Sequence, residues 1–95
     1  MATPEGKVKV KVRAVLKRYG AYYHSPVQNG MGTPSLDFVG CYSQMYFAIE
    51  TKAGDKSYTP RQQTTREEIE AAGGKVFLVN EVTGTKELEE WLNEN

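Results

Sequence analysis

An α/β domain with a mixed sheet, in the order α-β-β-β-α-β-α, is predicted by three observations. Val8, Val12, Val15, Leu16 and Tyr19 fall at i, i+4, i+7, i+8 and i+11, which is one face of a helix. LDFVGCY and QMYFAIETK are adjacent runs of aromatic and β-branched residues, as in a hairpin. TPRQQTTREEIEAAGG opens on Thr-Pro, closes on Gly-Gly and is followed at once by the apolar run KVFLVN.

The elements follow in chain order. KVKVKV alternates as a strand would, but the helical stripe accounts for more residues, so the segment is predicted as a helix. Thr3 caps it, Pro4 suits its first turn and Gly20 its stop. AYYHSPV is predicted as a short strand carrying Tyr22, Tyr23 and Val27, and QNGMGTPS as a loop. After the hairpin, AGDKSY turns into the second helix. There Thr59 is the N-cap, Pro60 the first residue and Gln62 the partner in a capping box. KVFLVN reads as a strand in the middle of a sheet. GTKELEEWLNEN reads as a last helix with Leu88, Trp91 and Leu92 on one side.

The 95 residues make one domain, 1–95. A chain this short buries a modest share of its surface, so a homodimer is expected. No apolar run reaches the length of a membrane span, and the first apolar residues alternate with lysine, unlike a signal peptide. The single Cys41 excludes an internal disulfide and fits a reducing cytoplasm. Twelve acids balance twelve bases, yet residues 7–18 hold only bases and the last eleven are acidic. That basic region suits phosphates, with the acidic tail facing solvent; two solvated helix faces would give the same pattern.

With the hairpin turn centred between Ser43 and Gln44, Phe38 faces Ile49 and Asp37 faces Glu50. Opposed side chains have β-carbons about 4.5–5.5 Å apart, where two carboxylates repel. A divalent cation such as Mg²⁺, held by one or two carboxylates with water and phosphate, relieves this. Lys52 lies one pleat further on the same face, about 6.5–7 Å along, placed to orient or deprotonate a water. Leu36, Phe38, Phe47 and Ile49 then form the apolar reverse of the hairpin. A solvated strand face also carries Glu and Lys at i, i+2, so this pattern alone leaves both readings open.

The sequence context adds a resemblance. NGMGTPSLDFVG, FAIETKAG and TPRQ, in that order and at compact spacing, resemble the PD-(D/E)xK nuclease superfamily. They look most like the small VRR-NUC (virus-type replication-repair nuclease) domains of phages and DNA-repair enzymes, from about Glu5 to Val79. The resemblance implies a restriction-endonuclease-like core and a Mg²⁺- or Mn²⁺-dependent endonuclease acting on branched or Holliday-junction DNA. It makes Asp37 and Glu50 the metal-binding acids, the Thr51 carbonyl a further ligand and Lys52 the residue that positions water. Gln62 matches the family's glutamine, Glu5 the acid of its first helix, and Gly30 and Gly32 the glycines that admit nucleic acid. Leu36 stands where the superfamily's name has proline. A non-catalytic DNA-binding module on the same fold, or a nuclease for RNA or a fixed site, is the alternative.

Beyond that motif, Arg61 is a phosphate candidate at a helix N-terminus, where free N–H groups point outward. His24 reads as an exposed strand residue. The tyrosines and Trp91 read as core or dimer-interface aromatics.

Overall fold

The computed structural model describes residues 3–27 and 35–95. Gly30 and Gly32 therefore lie outside the described residues. The element order is the predicted one: α1 (Pro4–Tyr19), β1 (Tyr22–His24), β2 (Phe38–Tyr42), β3 (Met45–Thr51), α2 (Pro60–Ala71), β4 (Lys75–Val79) and α3 (Lys86–Glu94). The strands form one sheet in the order β1-β2-β3-β4. β1 and β3 both run antiparallel to β2, and β4 runs parallel to β3.

The helical reading of α1 holds. Val8 and Val12 are buried while Val10 between them is 59% exposed, which alternation along a strand would not allow. The Thr3 hydroxyl accepts from the Gly6 N–H at 2.9 Å. At the other end Gly20 takes a left-handed conformation (φ 72°), and the Ala21 N–H reaches the Leu16 carbonyl at 3.0 Å. This six-to-one bond satisfies a carbonyl that the helix end would leave open.

Helices cover both faces of the sheet. On one face α1 and α3 pack over Phe38, Phe47, Ile49, Phe77 and Val79. Trp91 of α3 sits edge-on to Phe77 and Phe47 at 5.4 and 5.9 Å, which makes it a core anchor, one of the two roles, core or interface, expected of it. On the other face Ile69 of α2 and Tyr58 pack over Leu36, Val39, Ala48 and Val76. The acidic last helix does not simply face solvent. It lies beside the basic first helix, where Arg18 pairs with Glu89.

Three expectations need correction. β1 ends at His24, so Val27, 86% exposed, is outside it; Pro26 has no N–H to extend the ladder. β4 is an edge strand, not a central one. Its apolar run reflects two covered faces rather than two neighbouring strands. Leu36 belongs to the α2 face and not with Phe38, because the chain bends at Asp37 and strand alternation stops there.

β1 crosses very near β2 at Gly40. A β-carbon there would fall 1.9 Å from the Tyr22 carbonyl oxygen, so only glycine fits. The β2–β3 turn is the two-residue type predicted, with Tyr42 opposite Met45. Ser43 and Gln44 both have positive φ, 52° and 69°. This is the twist-matched hairpin turn, which favours Asn-Gly. Replacing the pair by Asn-Gly should therefore stabilise the fold by about 1 kcal/mol, seen as a rise of roughly 4–8 °C in Tm by calorimetry.

Candidate functional site

The hairpin register is the predicted one from Phe38 opposite Ile49 to Tyr42 opposite Met45, and Asp37 sits at the bend just before β2. Asp37 turns its carboxylate onto the end of β3. Its Oδ2 accepts from the Thr51 N–H at 2.9 Å and from the Thr51 hydroxyl at 2.6 Å. A strand residue points its N–H and C=O to the same edge, so the Thr51 carbonyl lies on the Asp37 side. The Lys52 N–H turns the other way, to the Val79 carbonyl at 3.0 Å.

Glu50 shares a sheet face with Ala48, the face that α2 covers. It is 4% exposed, so the acid is buried between layers rather than displayed on an open face. One oxygen, Oε2, is well served. Gln62 Nε2 donates to it at 2.9 Å, and Lys52 Nζ stands 3.6 Å away. The other oxygen, Oε1, is buried with no hydrogen-bond partner among the described residues. Burial first, and then the nearby Asp37 carboxylate, push the Glu50 pKa from 4.5 up to about 7; the Lys52 ammonium opposes this without cancelling it.

The capping box of α2 places Gln62. Its backbone N–H is bound by the Thr59 hydroxyl at 3.2 Å, and its side-chain oxygen accepts from the Thr59 N–H at 3.0 Å. The amide nitrogen is thereby aimed at Glu50. One side chain serves the helix cap and the site together.

These groups line a cleft of about 450 Å³ at the end of the sheet. Asp37, Glu50, Lys52 and Gln62 form one part of its wall. α1 contributes Glu5, Lys9 and Arg13, and the chain after β1 contributes Ser25 and Pro26. Lys9 Nζ lies 3.4 Å from Glu5 Oε2 and 4.0 Å from Asp37 Oδ1. Glu5 is thus in the cleft but paired with Lys9. Among the described residues no group of three or more His, Cys, Asp or Glu side chains is arranged to hold a metal ion. Arg61 and His24 are exposed and do not line the cleft. A larger groove of about 590 Å³, between Ile69 of α2 and Tyr46 of β3, holds none of the predicted site residues.

A divalent cation fits the acids that do converge. A buried carboxylate oxygen without a partner, a second carboxylate close enough to raise its pKa and a backbone carbonyl on the same edge are hard oxygen donors, the type Mg²⁺ and Mn²⁺ take.

Sequence reasoning missed Lys9 and Arg13 as site residues, although Glu5, Lys9 and Arg13 at i, i+4 and i+8 share one helix row. It also missed Asn80. This buried residue accepts from the Val82 and Thr83 N–H groups at 2.9 and 2.7 Å and donates to the Lys56 carbonyl at 2.9 Å. Glu81 reinforces the tie: its carboxylate accepts from the Gly54 N–H at 2.8 Å. The loops leaving β3 and β4 are thus bound together behind Lys52. No family model matches this chain, and no curated protein matches it.

Two outcomes test this geometry. Because the Glu50 pKa in the fold exceeds its value of 4.5 in the unfolded chain, Glu50 favours folding at low pH. That contribution is lost as pH rises from about 4.5 to about 7. Glu50→Gln should therefore match the parent below this window. Above it the variant should be more stable in chelator, by on the order of 2 kcal/mol after allowance for screening by the open cleft. Paired denaturant titrations across pH measure the difference. Asn80→Ala should cost about 2–3 kcal/mol and raise amide exchange in both exit loops, read by mass spectrometry.

Proposed function

We propose that this chain is a divalent-cation-dependent DNA endonuclease of the VRR-NUC type, on a restriction-endonuclease-like core, that hydrolyses phosphodiester bonds in branched DNA. The observation that carries the reading is the Glu50 Oε1, without a partner among the described residues and buried beside Asp37, with Lys52 and Gln62 in reach of the same carboxylate. Burying a carboxylate and leaving one oxygen unmet costs stability, so a role for that oxygen outside the fold is the economical explanation.

Asp37, Glu50 and the Thr51 carbonyl would hold Mg²⁺ or Mn²⁺. When bound, such an ion polarises the phosphate and lowers the pKa of a water. The chain's own residues do the rest. Thr51 occupies Asp37 Oδ2, and Oδ1 faces Lys9 Nζ at 4.0 Å, so Oδ1 is the oxygen that would turn to a cation. Gln62 holds Glu50 Oε2 and fixes the plane of the carboxylate. Lys52, buried along most of its length beside Glu50, presents its ammonium where a pentacoordinate phosphate gathers negative charge, and can donate to the attacking water. Glu5, through Lys9, sets the far wall.

A homodimer would bring two such clefts to a four-way junction, whose near two-fold symmetry matches that of a closed pair. The place of action we propose is the cytoplasm, that of the host for a phage protein. Among the described residues no helix is long and apolar enough to cross a membrane.

Labelled four-way junctions, flaps, duplex and single strands, each incubated with Mg²⁺, Mn²⁺ or chelator, test the proposal. Cleavage of a branched substrate should require the metal and fall by about 100-fold or more in Glu50→Gln and in Lys52→Ala. Mn²⁺ at a hundred times its Kd should add about 2.7 kcal/mol to the parent and nothing to Glu50→Gln. Junction binding without cleavage in any metal would replace the enzyme by a non-catalytic binding module. A strict monomer by light scattering would remove the paired cut.

A further inference from the structure

Resting on the endonuclease reading, we infer that Arg13 is a phosphate-binding residue that seats the DNA strand one step from the scissile position. The cleft contains three acids, Glu5, Asp37 and Glu50, and three bases, Lys9, Arg13 and Lys52. Their formal charges cancel, but their pairing is uneven. Lys9 is shared between Glu5 and Asp37, and Lys52 stands against Glu50. Among the described residues Arg13 has no carboxylate at ion-pair distance. It is the cation of this cleft whose charge is left for something outside the fold.

Its position is held without an acid. The guanidinium carbon lies 5.5 Å from the centre of the Phe38 ring, within the range of a cation–π contact. Phe38 is fully buried at the start of β2, the residue after Asp37. The same short segment therefore places a carboxylate of the acid pair and the platform beneath Arg13. A guanidinium resting on a ring keeps its N–H fork free, and that fork matches two oxygens of one phosphate.

The spacing along α1 gives the register. Arg13 is one helical turn past Lys9, about 6 Å along the axis, and Lys9 touches both Glu5 and Asp37. A phosphate on Arg13 therefore lies beside, not on, the carboxylate pair, displaced by the order of one backbone step of an extended strand. Lys7, Lys11 and Lys17 share the helix but do not line the cleft. Of the six bases in residues 7–18, Lys9 and Arg18 are paired with acids, Lys7, Lys11 and Lys17 lie outside the cleft, and Arg13 is the one that lines it without a carboxylate among the described residues.

Binding is measured by fluorescence anisotropy on a labelled four-way junction with Mn²⁺, in a Lys52→Ala background so that no strand is cut. Adding Arg13→Ala should weaken binding about ten-fold at low salt and reduce the slope of log K against log salt by about one, as expected for one lost phosphate contact. Arg13→Lys should keep the slope and recover part of the affinity, since the charge remains but the fork does not. The Mn²⁺-induced rise in Tm should be unchanged in Arg13→Ala, which separates strand seating from cation binding and from folding. Unchanged affinity and slope in Arg13→Ala would overturn the inference while leaving the endonuclease reading intact. An equal loss in Lys11→Ala would also overturn it, by showing only a diffuse field. If the parent chain neither binds nor cuts any DNA with either metal, both readings fall together.

Discussion

A buried carboxylate is the constraint around which this small protein is arranged. Glu50 lies at the end of β3, on the face that carries the buried apolar residues Leu36, Val39, Ala48 and Val76. Removing such a group from water is costly unless its oxygens are matched. The fold matches only one of them, through Gln62 and Lys52, and sets a second acid beside it. An apolar residue would serve stability alone at least as well. The local structure can be understood as what is needed to keep this group in place: a capping box that aims Gln62, a bend that turns Asp37 inward, and two exit loops tied by Asn80 and Glu81.

The position of the cleft follows from the mixed sheet. β3 has an antiparallel neighbour on one side and a parallel one on the other. At its carboxyl end, β2 is beginning and β4 is ending. β2 therefore delivers the residue that precedes it, Asp37, and β4 delivers the loop that follows it. Helices on both faces close the layers above and below, and the cleft opens at the strand ends. Ligands of open α/β sheets bind in this same place, outside the carboxyl ends of strands.

Much of this could be read from the residues, and the failures have physical causes. The hairpin register was legible because a two-residue turn between two apolar runs admits one alignment, and a slip would have turned Phe38 and Ile49 outward. The caps of α1 and α2 were legible because Thr, Pro, Gln and Gly each satisfy a specific orphaned backbone group. Leu36 was misplaced because alternation holds only while the backbone stays extended, and it bends at Asp37. β4 was placed centrally because an apolar run records coverage of faces and carries no record of neighbours. The burial of Glu50 could not be read, since it depends on where α2 lies across the sheet. Arg13 was hidden among six bases of one helix, and only the packing of that helix distinguishes it.

α2 itself has a further consequence. None of its residues is buried; it is held to the sheet through Ile69 and by its caps. A helix anchored so lightly opens at a lower free energy than the sheet beneath it. When it lifts, Gln62 leaves with it, water floods the Glu50 side chain, and that acid regains ordinary solution behaviour. Proton release and helix detachment are thus two sides of one local equilibrium: a protonated Glu50 favours the docked helix, and alkaline solution loosens it.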